Sequence, residues 1–137
     1  KLKSSFGIDF DALLSQMQGK QPDYKKRFLI QIGEKIRKTE VSEIAYFFVA
    51  NKSIFLKCFS GKTYPLEYSL DKLESLINPE KFFRINRKYI VNIDAIESML
   101  AYSRGRVKLD LKPPADDEFD PIVSIDRSAD FKKWLNK

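Results

Sequence analysis

The chain has 137 residues, enough for one domain with a real hydrophobic core and too few for two of ordinary size. It contains no histidine and one cysteine, which excludes a Ser/His/Asp triad, a Cys/His pair, a histidine metal site and a cysteine-cluster zinc site. Lys and Arg number 25 against 19 Asp and Glu, a formal net charge of +6 that points first to a polyanionic partner.

Residues 1–27 are polar and basic around one short apolar cluster. Asp9 is placed to cap a short helix whose Phe10, Leu13, Leu14 and Met17 share one stripe, with Gly19 and Pro22 ending it. Two or three turns are not stable alone in water, so this segment is expected to be an interdomain linker. Lys1 in place of methionine adds the expectation that the chain is a piece of a longer polypeptide.

From Phe28 the hydrophobic period changes from about 3.6 to 2. Strands are predicted at 28–32, 35–38, 45–50, 53–59, 62–67, 95–102, 106–111 and 121–125, each short and rich in β-branched and aromatic residues. Turn signals lie between them at Gly33-Glu34, Asn51-Lys52, Ser60-Gly61 and Arg104-Gly105. Two helices interrupt the pattern, one at 70–77 capped by Ser69 and stopped before Pro79, the other at 129–135 behind Ser128. The acidic stretch 113–120 is expected to be a solvated loop, and Cys58 a packing residue within a strand rather than a nucleophile. No apolar run is long enough to span a bilayer and no signal peptide opens the chain, so a cytoplasmic location is expected.

The charge is local. Residues 1–40 carry +4, 41–80 carry −1, 81–108 carry +5, 109–126 carry −5 and 127–137 carry +3. The densest basic segment centres on FFRINRKYIVN, Phe82 to Asn92, where Arg84, Arg87 and Lys88 are interleaved with apolar residues. Basic side chains on a packed frame suit phosphate contact, because arginine's planar fork matches phosphate oxygens and rigid support limits the entropy lost on binding. Ordinary solvated charges on a strand face are the alternative.

The order of residues decides between them. FFRINRKYIVN, preceded by a short helix and Pro79 and followed by IDAIESM, resembles the signature of the LytTR family of DNA-binding domains, the output domains of bacterial response regulators of the LytT, AgrA and AlgR kind. The resemblance runs from about Phe28 to Leu135 and takes in VSEIAYF at 41–47, SLDKLESL at 69–76 and IDRSADFKKWL at 125–135. It implies an all-β fold, elongated, of about ten strands in small antiparallel sheets with short helices. It also implies sequence-specific double-stranded DNA binding, with loops entering successive major grooves. Tandem repeat sites, a dimer on DNA and an upstream receiver domain follow from the same resemblance, with no cofactor, metal or catalytic residue.

Three regions match the family's contact regions: Lys52, Ser53 and Ile54 in one loop, Asn86, Arg87 and Lys88 in the signature, and Arg127 after the last strand. Ser128 is expected to cap the terminal helix. Strict alternation would put Arg84, Asn86 and Lys88 on one face and Ile85, Arg87 and Tyr89 on the other. Either the strand bends near Asn86, or Arg84 pairs with a carboxylate while Arg87 reaches the groove. Phe82, Phe83, Tyr89 and Val91 are expected in the core, and Asn92 on a turn backbone.

Two positions depart from the family pattern. Asn86 stands where histidine is usual, and Asp126 where serine is usual. Because asparagine pairs bidentately with adenine, Asn86 is expected to contribute base readout, while Asp126 would repel phosphate unless it orients Arg127 or accepts from cytosine. Competing classes are a protein-interaction module using exposed strand edges and RNA binding by stacking. An enzyme fits least, since the carboxylates cluster with no glycine-rich phosphate loop or metal spacing beside them.

Overall fold

A computed structural model describes residues 23–115 and 120–137. Chain alternation builds three antiparallel sheets from ten strands among these residues. The first is a ribbon of β1 (Arg27–Ile32) and β2 (Lys35–Glu40), turned at Gly33, whose φ of +64° suits a residue without Cβ. Phe28 and Ile30 alternate inward and are buried, while Leu29 points out.

The second sheet has five strands in the order β5-β4-β3-β7-β6: β3 (Ile44–Ala50), β4 (Ser53–Cys58), β5 (Thr63–Leu66), β6 (Phe82–Arg84) and β7 (Tyr89–Asn92). Between β5 and β6 runs helix α1 (Leu70–Leu76), where Ser69 Oγ accepts from the Lys72 N–H at 3.1 Å as the sequence predicts. The third sheet, ordered β10-β9-β8, joins β8 (Ile96–Ala101), β9 (Val107–Leu111) and β10 (Ile122–Val123). Helix α2 (Ile125–Leu135) follows.

Strand β3 is the centre of the molecule, buried from Ile44 to Phe48. Alternation turns it to two cores, and a register shift between Ile44 and Tyr46 sets the consecutive Ala45 and Tyr46 in the same one. Ala45, Tyr46 and Phe48 join Tyr89, Val91, Leu109, Phe131 and Trp134, packing α2 and the third sheet on one face. Ile44 and Phe47 join Phe28, Ile30, Leu56, Leu73 and Ile90 on the other, packing the ribbon and α1. Each fully buried Phe or Leu contributes about 1.5–3 kcal/mol relative to exposure, so β3 ties the three sheets together.

Cys58 is buried in the second core, and burial pushes its thiol up from the ordinary value, in keeping with a packing residue. Asn92 donates from Nδ2 to the Ile44 carbonyl at 2.9 Å and accepts from the Asp94 N–H at 2.9 Å, holding a turn as expected. The terminal helix corrects the prediction: it starts a turn early, at Ile125, leaving β10 only two residues. Ser128 is therefore not its cap. It lies inside the helix, buried on the face shared with Phe131 and Trp134, and its hydroxyl donates to the Ser124 carbonyl at 3.0 Å. The predicted helix at 10–17 lies outside the described residues, as does part of the predicted acidic loop, 116–119; beside that part, the Pro113 and Pro114 carbonyls accept from Tyr46 Oη at 3.2 Å each.

Candidate nucleic-acid interface

Pairing in the five-stranded sheet brings the three predicted regions to one end of it. Strands β3 and β4 turn at Asn51-Lys52, with both residues at positive φ (50° and 64°), the backbone of a type I′ hairpin. Lys52 and Ser53 are exposed at this tip and Ile54 is half-buried in β4. Strand β7 runs antiparallel to β3, pairing Phe48 with Tyr89, and the Val49 N–H donates to the Lys88 carbonyl at 3.0 Å. The start of β7 thus lies beside the end of β3, and the connection at 85–88 beside the 51–52 turn.

Residues 85–88 form a tight loop between β6 and β7. Ile85 is fully buried and acts as its apolar peg. Asn86 organises the rest: Oδ1 accepts from the Lys88 N–H (2.7 Å) and the Tyr89 N–H (3.0 Å), while Nδ2 donates to the Ile122 carbonyl (2.7 Å). Arg87 is left exposed at the apex.

The conflict over strand faces is resolved by the bend of the first alternative together with the carboxylate pairing of the second. The strand breaks after Arg84, and Arg84 pairs with carboxylates. Its guanidinium is bonded to Asp71 and lies 3.3 Å from Glu74, both on α1, and its Nε donates to the Asn86 carbonyl at 3.2 Å. Only 12% of the Arg84 side chain is exposed, so this cation is a fixture of the loop. The Arg84 guanidinium also holds the Asp71 carboxyl below its ordinary value, first by the hydrogen bond and then by its charge.

Arg127 arrives from the far end of the chain. The Ser124 N–H donates to the Ile85 carbonyl at 3.0 Å, fixing the start of α2 against the loop, and Arg127 Nη1 lies 3.4 Å from the Arg84 carbonyl. Asp126 beside it is exposed, its carboxyl held below the ordinary value by the Ser124 hydroxyl, its own backbone N–H and the Arg127 charge. Lys52, Ser53, Ile54, Asn86, Arg87, Lys88 and Arg127 therefore surround one end of one sheet.

Sequence reasoning missed the partners that organise this end. Asp71 and Glu74 sit three residues apart on α1 and so share a helix face, a visible signal for a bound cation. Nothing local says that the cation is Arg84, or that Asn86 is tied to β10.

Comparison with known families decides the lineage, since the family model for the LytTr DNA-binding domain matches residues 34–136. The chain belongs to the LytTr family. Its fold is likewise that of a solved LytTr DNA-binding domain from a Bacillus cereus protein named as a methyl-accepting/DNA response regulator. The two superpose with a TM-score of 0.70 at 20% identity, covering 82% of this chain and 99% of that one. No curated protein matches the chain. Among its described residues this LytTr domain has no helix long and apolar enough to cross a membrane.

Proposed function

We propose that this LytTr domain binds specific double-stranded DNA sequences through loops placed in the major groove, as the transcription-regulating, non-catalytic output domain of a cytoplasmic two-component response regulator. The observation that carries the reading is the convergence of the 51–54 turn, the 85–88 loop and Arg127 on one end of the central sheet. Three stretches far apart in sequence give one surface of exposed or half-buried Lys52, Arg87, Lys88 and Arg127. Arg84, Asp71 and Glu74 are engaged with one another behind it. Lys52, Ser53, Ile54, Lys88 and Arg127 are assigned to backbone and groove contact, and Arg87 to a base edge or phosphate at the apex. Asn86 is reassigned: its carboxamide is spent on the loop, so it presents Arg87 and Lys88 rather than reading adenine itself.

On this reading the residues before β1 lead from an upstream receiver domain, and two copies bind tandem repeats. The test is titration of labelled duplex, selected from a random pool, over a range of salt. Neutralising roughly four to six phosphates per domain gives a log–log slope of about −0.9 per phosphate. A flat salt response overturns the proposal. Protein interaction through a strand edge has an observation of its own in β8, and it does not compete for the same face.

A further inference from the structure

The sheet edges of this domain are unequally protected. Strand β5 carries Pro65, which cannot donate to a ladder, and β6 and β10 have three and two residues. In the β1–β2 ribbon, β2 carries Lys35, Arg37, Lys38 and Glu40. Strand β8, Ile96–Ala101, has one bulge and one charge, both at Glu97, and no protection along the rest of its length. It ends the three-stranded sheet, pairs only with β9 among the described residues, and is exposed from Glu97 to Ala101. Met99 is 45% exposed, Leu100 64% and Tyr102, just after it, 42%. The register shift between Ile96 and Ser98 sets Glu97 out of the ladder at the strand's start and leaves the apolar half regular.

We infer that β8 is a self-association edge, pairing antiparallel with β8 of a second copy of this chain about a two-fold axis near Met99. The charges at its two ends select that partner. Asp94 and Glu97 lie at the N-terminal end, and Arg104 and Arg106 at the C-terminal end. Antiparallel self-pairing sets the acidic end of each copy against the basic end of the other in any register centred on 98–100. Parallel pairing would set Glu97 against Glu97. The basic end is already ordered: Arg106 stacks 4.9 Å from the Tyr102 ring centroid and donates to the Ser103 carbonyl and hydroxyl at 3.1 and 2.7 Å. Asp94 is exposed, with Lys81 Nζ 3.9 Å from its carboxylate.

Beneath the strand, a groove of about 590 Å³ runs between β8 and the end of α2, lined by Met99, Ala101, Val107, Phe131 and Leu135 among others. A strand added to β8 extends the sheet over this groove, so alternate side chains of the incoming strand meet its apolar lining. The contact lies on a different sheet from the 51–54 and 85–88 loops, and it does not depend on the DNA reading.

Sedimentation equilibrium of the full chain without DNA, over about a hundred-fold concentration range, tests it. The expected result is a reversible monomer–dimer equilibrium. Leu100→Lys, at a side chain already exposed, should raise the dissociation constant at least about tenfold with an unchanged circular dichroism spectrum. Asp94→Arg together with Glu97→Arg should weaken the dimer, and combining the pair with Arg104→Glu and Arg106→Glu should restore it. Changing Leu29 and Ile36 on the ribbon to lysine should leave it unaltered, although both are 68% exposed. A monomer at every concentration, association removed by the ribbon changes instead of by Leu100→Lys, or no rescue by the charge exchange overturns the inference.

Discussion

Asn86 shows how a single side chain can be read one way in sequence and another in space. An asparagine inside a basic signature suits bidentate pairing with adenine, yet here both ends of its carboxamide serve the backbone of its own loop and of β10. Truncation to alanine strands two N–H groups and a carbonyl, so Asn86→Ala should destabilise the fold by about 1–3 kcal/mol, measured by urea unfolding. It should also weaken DNA binding by a similar factor across a panel of operator variants, whereas a base reader would lose selectivity at one position. Arg87→Ala should differ, leaving stability nearly unchanged and costing on the order of 1–3 kcal/mol of binding if it reads a base. Lys52 offers the opposite test. It holds φ 64° at the turn position where glycine is least strained, so Lys52→Gly should stabilise the hairpin by about 0.5–1 kcal/mol. The same change should weaken DNA binding and lower the salt slope by about 0.9, as one phosphate contact is lost. Gain of stability with unchanged binding would remove Lys52 from the interface.

At the scale of elements, α1 acts on the loop from behind. Its Asp71 and Glu74 face Arg84, and Arg84 in turn holds the Asn86 carbonyl, so a helix remote in sequence sets the shape of the 85–88 loop. Arg84→Ala should cost about 1–2 kcal/mol in stability, discounted because both carboxylates are largely solvated, and should weaken DNA binding without altering the salt slope. The acid response follows from the direction of the Asp71 shift. Its folded-state value lies below the ordinary one, so the pair contributes its stability above the unfolded value and loses it as the pH falls through the lowered one, below about 4. Acid titration followed by tryptophan fluorescence should show Asp71→Asn removing part of that loss. The helix itself was legible, since Ser69, the apolar spacing and Pro79 are local signals. The terminal helix was legible only in its second half. Its first turn forms because Ser124 is fixed to Ile85 and Ser128, Phe131 and Trp134 share a buried face, and that packing overrides the polar look of Ser124 to Arg127.

For the molecule as a whole, Lys52, Arg87, Lys88 and Arg127 come from three stretches of the chain to the loop end of the central sheet, and with no histidine in the chain the proposed surface lacks a group that ordinarily titrates near neutrality. DNA affinity at fixed salt should therefore vary little between about pH 6 and 8, checked by fluorescence anisotropy; a steep change in that window would point to a titrating group outside the proposed contacts. Period-2 alternation, turn residues and caps act over a few neighbours, so the sequence alone determined the all-β class, the span of most strands, helix α1 and the basic segment with its family signature. The bend after Arg84 could be stated only as one of two alternatives, because a strand's local pattern does not say which carboxylate awaits it. Tertiary structure decided that Arg84 belongs to α1, that Asn86 is tied to Ile122, and that the 51–54 turn, the 85–88 loop and Arg127 share one end. Each depends on which strands lie side by side, and that is set by burying both faces of β3 at once, a condition no short window of the chain contains.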